Sequence, residues 1–173
     1  MRYPPDRQKV REALEAQSQK ARNERKTLEK TLEIVEQYTG KQINKRLCTF
    51  IQENSGQRFH EVTRWNSETQ KDEVKSEAYP CIHATLEKKD YGKQEYTLTV
   101  YNEWNERSTI WFAGMPDLIE GIKARISGTD ETIVNIANLL KDLDSTLDRF
   151  EKATTELEEI NDIKGMFYIR ELL

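Results

Sequence analysis

Between positions 133 and 157, apolar residues return at alternating steps of three and four: Ile133, Ile136, Leu140, Leu143, Leu147, Phe150 and Leu157, with Thr154 interrupting. That spacing predicts a helix burying a narrow stripe against another helix. Thr129 or Asp130 is placed to cap its start, Glu131 falls in its first turn, and Gly165 is placed to end it. About 33 residues at roughly 1.5 Å each would span about 50 Å. At the other end, Val10, Leu14, Ala21, Leu28, Leu32, Val35 and Tyr38 predict a helix that begins after Pro4, Pro5 and Asp6 and stops at Gly40. Its alternate heptad positions hold Arg11, Ser18 and Arg25, so the apolar stripe is thin before Leu28 and the first turns are expected to fray. Leu28, Leu32 and Val35 are expected to pack on the Ile133–Leu157 seam.

The middle of the chain changes period. Strands are predicted at Leu47–Ile51, Arg58–Trp65, Tyr79–Leu86, Glu95–Trp104 and Thr109–Phe112, all rich in β-branched and aromatic residues. Turn chemistry separates them at Asn54-Ser-Gly56, Asp90-Tyr-Gly92 and Asn102 to Arg107, and the polar stretch Asn66–Ala78 is expected to be a short helix or a loop. The connections are too short for crossover helices, which predicts an antiparallel sheet. A short helix is expected from Met115-Pro-Asp117, broken at Ser127-Gly128, and Met166–Ile169 is expected to add an edge strand or tuck into the sheet. The expected class is α+β: a small antiparallel sheet flanked by a long N-terminal helix and a long heptad-patterned C-terminal helix. Three segments follow: 1–40 as a helical arm, 41–128 as the sheet domain, and 129–173 as the long helix and tail.

Charge changes this picture. Of the 173 residues, 34% are charged and the formal net charge is −4. Residues 1–46 hold 12 Lys/Arg against 7 Asp/Glu, while residues 129–173 hold 5 against 11. A basic helix and an acidic helix are expected to lie antiparallel or side by side and attract each other. The same basic arm could also follow phosphates. No apolar run is long enough to span a membrane, the start lacks the apolar stretch of a signal peptide, and two cysteines are too few for a disulfide framework. A cytoplasmic chain with no membrane partner is the expectation.

Candidate chemistry is sparse. Cys48, His60, Cys81 and His83 are a formal Cys2His2 set, but their spacings are not those of a zinc site, and no metal is expected. Asp117, Glu120 and Lys123 resemble a nuclease acid–acid–lysine trio only in type, since all three would share one short helix. No phosphate-cradling glycine loop or nucleophile elbow is present, so neither a cofactor nor a catalytic set is expected. What remains is a group of strand aromatics, Phe59, Trp65, Tyr79, Tyr96, Tyr101, Trp104, Trp111 and Phe112. Of these, Tyr101 and Trp104, beside a charged turn, are expected to stay exposed.

The run Asp90-Tyr-Gly-Lys-Gln-Glu-Tyr-Thr-Leu-Thr-Val100, followed by STIWFAG, the heptad stretch NIANLLKDLDSTLDRFEKATTELEEI and a closing Phe167 with Glu171-Leu172, resembles the accessory module of mobile-element helicase–methylase polypeptides over about residues 54–173. The same order of basic arm, small sheet and long helix is similar to phage and mobile-element anti-CRISPR proteins that inhibit Cas9, although this chain is net acidic. These resemblances imply a non-enzymatic inhibitor docking on a protein target, such as Cas9 with its guide RNA or another nucleic-acid enzyme. The alternatives are a DNA-binding accessory module, with direct DNA or RNA contact through the basic arm, and a coiled-coil oligomer held by the heptad seam. The expected contacts are Arg7, Lys9, Arg11, Lys20, Arg22, Arg25 and Lys26 on the basic arm, and Tyr101 and Trp104. On the acidic helix they are Asp142, Asp144, Asp148, Glu151, Glu158 and Glu159, of which Asp144, Asp148 and Glu151 are central.

Overall fold

The computed structural model describes residues 7–40, 42–90 and 94–170, with the side chains of 7, 90, 94, 147, 150, 151, 154 and 157–170 excepted. The expected helix start at Pro4–Asp6, the Tyr91-Gly92 turn and the Glu171-Leu172 pair lie outside the described residues. So do the side chains of Leu147, Phe150, Leu157, Glu158, Glu159 and Phe167.

Among the described residues three helices and five strands follow the order α1 (Arg7–Gln37), α2 (Lys45–Asn54), β1 (Gln57–Asn66), β2 (Lys71–Pro80), β3 (His83–Asp90), β4 (Gln94–Tyr101), β5 (Arg107–Phe112) and α3 (Met115–Arg170). The class is α+β. Strands β3, β4 and β5 form an antiparallel meander, while β1 and β2 form a separate two-stranded antiparallel ribbon. The chain divides into two compact units: Met1–Ser18 with Ile133–Leu173, and Gln19–Thr132. The expected boundaries at 40 and 128 both fall inside the second unit.

In the second unit the meander has one apolar face. Strand β5 alternates without a fault, burying Ser108, Ile110 and Phe112 and exposing Arg107, Thr109 and Trp111. Leu98, Val100 and Ala84 continue the buried face. Onto it pack Leu28, Ile34 and Val35 of α1, Leu47, Cys48 and Ile51 of α2, and Leu118 and Ile122 of α3. Leu28 and Val35 are thus core residues of this cluster, with Leu32 packed against it. These three, expected on the Ile133–Leu157 seam, belong instead to this cluster, where the sheet offers an apolar surface and the first turns of α3 complete it.

The first unit carries the heptad seam. Ile136 is buried and Ile133, Leu140 and Leu143 are half-buried, whereas the off-seam Val134 and Leu139 are exposed. Val10, Leu14 and Ser18 are the half-buried positions of α1 in this unit, and Arg11 Nη2 lies 3.6 Å from Asp144 Oδ2. In the second unit Arg25 meets Asp130 at 3.1 Å, Glu24 meets Arg125 at 3.0 Å and Glu36 meets Lys123 at 3.3 Å. Within the second unit the partner steps back from Asp130 to Lys123 as α1 advances from Arg25 to Glu36, so the expected attraction is present there between antiparallel segments. Exposed pairs of this kind are worth about 0–1 kcal/mol each, which sets register more than stability.

Several local expectations are corrected. Leu47–Ile51 is helical, not a strand: Leu47, Cys48 and Ile51 share one helical face, and Asn44 Oδ1 caps α2 by accepting from Arg46 N at 2.9 Å. Most of Asn66–Ala78 is strand β2, whose weak apolar alternation reflects a ribbon with no core to face. The predicted Tyr79–Leu86 strand is broken after Pro80, which has no N–H to continue the ladder. Strand β4 ends at Tyr101, so Trp104 lies in the turn that follows. Ser127-Gly128 does not break α3, and Thr129 does not cap a new helix; its hydroxyl donates to Ile126 O at 2.6 Å inside the same one. Gly165 does not end it either, and Met166–Ile169 is helical.

Two glycines of α3 allow a paired test. A Cβ on Gly128 would meet nothing within 4 Å, so Gly128→Ala is expected to raise stability by about 0.5–1 kcal/mol through helix propensity. A Cβ on Gly121 would lie 2.7 Å from Ile110 Cγ2, a stiff buried group, and Gly121→Ala is expected to cost about 1–3 kcal/mol. Urea denaturation of both variants checks this, and equal signs would refute the packing argument. In the same assay Leu118→Ala, at a fully buried position, should cost about 2–5 kcal/mol, and Leu143→Ala, only half-buried, distinctly less.

Candidate functional site

The best-wired surface feature is the turn between β4 and β5. Asn102, nearly buried, organises it: its Oδ1 accepts from Trp104 N and Glu106 N, each at 3.0 Å, and its Nδ2 donates to Glu106 Oε2 at 2.7 Å. Its backbone N–H donates to Glu106 O at 3.1 Å, and Asn105 takes φ +60° while donating to Asn102 O at 3.0 Å. An asparagine is suited to this because one side chain both accepts and donates. The turn is closed so tightly that Trp104 is held outward, 55% exposed.

Helix α1 passes beside this turn. Asn23, Lys26, Thr27 and Lys30 line a cleft of about 170 Å³ with Cys81, Ile82, Asn102, Glu103 and Trp104. On the other side of Trp104, Lys20, Tyr101, Asn105, Glu106 and Arg107 line an open depression of about 660 Å³. Steps of three and four from Lys20 through Asn23 and Thr27 to Lys30 keep these residues on one stripe of the helix. Among the described residues, Lys20, Lys26, Lys30 and Arg107 have no ion-pair partner. Arg58 supports the turn from β1, donating from Nη1 to Glu103 O at 3.2 Å, and its buried Nε has no hydrogen-bond partner. The arrangement is a row of free cations around an outward indole, suited to anions and to flat π-systems.

Of the expected contact residues, the structure gathers Lys20, Lys26, Tyr101 and Trp104 here. Arg22 is exposed on α1 away from both clefts, and Lys9 is exposed on the same helix. Arg11 is bound to Glu15 and Asp144, and Arg25 to Glu29 and Asp130, so these two arm residues serve the helix pair. Asp144 is engaged by Arg11, and Asp142 and Asp148 are exposed on α3. The side chains of Arg7 and Glu151 lie outside the described residues. Tyr101 is half-buried rather than exposed, and the aromatics left most exposed besides Trp104 are Phe59, Trp65 and Trp111. Lys30, Arg107 and Asn102 are not among the contacts expected from sequence. Lys30 is legible there as the next helical step after Lys26, whereas Arg107 and Asn102 take their roles from the turn.

The Cys2His2 set does not converge. Cys48 is buried on α2, His60 sits on the β1–β2 ribbon with its ring edge-on to Tyr79 at 5.9 Å, and His83 is exposed at the start of β3. Cys81 precedes β3, outside the strand that begins at His83. Among the described residues no three His, Cys, Asp or Glu side chains gather as a metal-ligand group. Lys123 is paired with Glu36 rather than with Asp117 or Glu120. Burial pushes the Cys48 thiol above its ordinary range, and on the ribbon the Glu77 carboxylate, accepting the phenol proton at 2.7 Å, does the same to Tyr79.

No family model, curated protein or solved structure matches the chain.

The two thiols should therefore behave differently. In the native protein a thiol reagent at mildly alkaline pH should modify Cys81, which lines the cleft, while Cys48 reacts only on unfolding. Because the folded state holds the Cys48 proton more tightly than the unfolded chain, its contribution to stability is present below the ordinary value of 9.0 and is lost as pH rises past it. Mass spectrometry after timed labelling checks the order, and faster modification of Cys48 would contradict it.

Proposed function

We propose that this chain is a non-enzymatic binding protein of a mobile genetic element. In this reading it is an anti-CRISPR that docks on a Cas nuclease and blocks its handling of nucleic acid. The observation that carries this reading is the row of unpaired Lys20, Lys26 and Lys30 on α1 beside the outward Trp104 and Arg107. Free cations around an exposed indole suit a partner with phosphates at its surface, as a nuclease loaded with guide RNA has. The acidic helix is the weaker candidate contact, because Asp130 and Asp144 are already occupied by Arg25 and Arg11. Inhibition is then a matter of occupying a surface and needs no turnover, no cofactor and no metal.

One observation favours a second reading, direct nucleic-acid binding as an accessory module. An exposed tryptophan flanked by lysines is also how proteins hold a single strand, through stacking and phosphate contact together.

A cleavage assay with Cas9 and guide RNA tests the first reading. Inhibition should saturate near one protomer per nuclease and leave nuclease, guide and chain intact. Lys20→Glu with Lys26→Glu should raise the half-inhibitory concentration at least tenfold, and so should Trp104→Ala. Sub-stoichiometric inhibition with a modified target would refute the binding-protein reading. Direct binding has its own signature: removing one lysine–phosphate interaction should flatten the dependence of log K on log salt by about 0.7 for a single strand. Salt-insensitive binding of an oligonucleotide, unchanged in the lysine variants, would remove the second reading.

A further inference from the structure

The β1–β2 ribbon has two faces, and its register assigns each residue to one. Phe59 pairs with Ala78, Glu61 with Ser76, Thr63 with Val74 and Trp65 with Asp72. Cross-strand partners and alternate residues point the same way, so Phe59, Glu61, Trp65, Asp72 and Val74 share a face. It is uncovered: Phe59 is 69% exposed, Trp65 64% and Val74 63%. A two-stranded ribbon is marginal in water on its own, and one with its largest apolar groups outward gains most from being covered.

Charge says what would cover it. All four basic residues of the two strands, Arg58, Arg64, Lys71 and Lys75, lie on the opposite face. There Arg64 is 2.5 Å from Glu77 and Lys75 is 3.7 Å from Glu73. The outer face carries only acids, Glu61 and Asp72, and among the described residues neither has an ion-pair partner. Asp72 stands directly across from Trp65, so a carboxylate and an indole flank one point on the surface. Elsewhere in the molecule an exposed indole already holds a cation: Lys89 Nζ lies 5.7 Å from the centroid of the Trp111 ring. Among the described residues no cation is placed over Trp65 or Phe59.

We infer that this face docks an arginine- or lysine-bearing segment of a protein partner. A guanidinium would stack on Trp65 while the Asp72 carboxylate accepts its N–H groups, and the side-chain stem would lie along Val74 and Phe59. Nucleic acid fits poorly, since its phosphates would meet two carboxylates and no cation. A second copy fits poorly as well, since it would bring further carboxylates to Glu61 and Asp72 without a counter-charge. The inference stands apart from the lysine row on α1 and does not depend on it.

The test titrates the full-length chain into a fluorescein-labelled arginine–serine repeat peptide, read by anisotropy at about 0.15 M ionic strength. Binding is expected, and Trp65→Ala should weaken it about tenfold or more. Glu61→Gln with Asp72→Asn should do the same. Removing two exposed acids from α3, by Glu131→Gln with Asp142→Asn, should leave it unchanged, and Lys20→Glu with Lys26→Glu should not weaken it. Val74→Lys keeps both rings and both carboxylates but adds a fixed cation to the face, and it should also weaken binding with an unaltered circular dichroism spectrum. The inference is overturned by an unbound peptide, or by equal weakening from the α3 variant. Oligonucleotide binding that Trp65→Ala abolishes, or a sedimenting dimer that the same variant dissociates, would overturn it too.

Discussion

One apolar face has to be covered, and most of the second unit is arranged to cover it. The β3–β4–β5 meander presents Leu98, Val100, Ile110 and Phe112 on one side, and among the described residues helices rather than a second sheet pack there. Leu28 of α1, Leu47 and Ile51 of α2, and Leu118 and Ile122 of α3 close over it, each fully buried. Burying side chains of this size is worth about 1.5–3 kcal/mol apiece, well above what an exposed ion pair contributes. This contact therefore decides where the helices lie. On the opposite side of the meander Thr85, Thr99 and Thr109 form one cross-strand row, with Thr85 and Thr109 exposed and Thr97 buried further along β4.

Once hydrophobic burial has placed the helices, charge settles their direction and leaves a remainder. Arg11, Arg25, Glu24 and Glu36 of α1 each find an opposite charge on α3. Glu24 also accepts from the Ser108 hydroxyl, tying β5 to both helices through one carboxylate. Lys20, Lys26 and Lys30 point elsewhere, toward the Asn102–Glu106 turn, and stay unpaired. The basic arm thus has two roles on two sides of one helix. Its gross charge excess overstates what is free to meet a partner, because part of it is neutralised inside the chain.

The ribbon is the other remainder. Gly56, at φ +85°, turns the chain out of α2 into β1, and the base is closed by Cys81 N donating to Gly56 O and Ile82 N donating to Ser55 Oγ. Beyond that base the two strands pair with each other, and Arg58 ties β1 to Glu103 O of the β4–β5 turn. Its salt bridges sit on one face, and its three most exposed apolar groups, Phe59, Trp65 and Val74, on the other. The lysine row and the ribbon face are opposite in charge and built from separate elements, so one substitution at either leaves the other intact.

How much of this was legible depended on whether a residue's role is set by its neighbours in sequence or by its neighbours in space. Heptad spacing marked Ile133, Ile136, Leu140 and Leu143 as covered, and the structure buries Ile136, half-buries the other three and exposes Val134 and Leu139. Composition likewise marked Glu95–Trp104 as a strand, and within it Leu98 and Val100 share the buried face of β4. Helical spacing and strand alternation are properties of the backbone and survive any packing. Leu47–Ile51 misled because β-branched and aromatic composition is a weak preference, overridden once the Asn44 cap and the sheet's apolar face favoured a helix. Ser127-Gly128 misled for a similar reason: glycine costs a helix about 1 kcal/mol, less than the packing on either side supplies. The site was half visible. Lys20, Lys26, Tyr101 and Trp104 stood out by type, but that Arg11 and Arg25 would be neutralised by Asp144 and Asp130, and that Lys30 and Arg107 would not be, is decided by which groups the folded chain brings within a few ångströms. Electrostatic pairing and exposure belong to three-dimensional neighbourhoods, and only the tertiary structure assigns them.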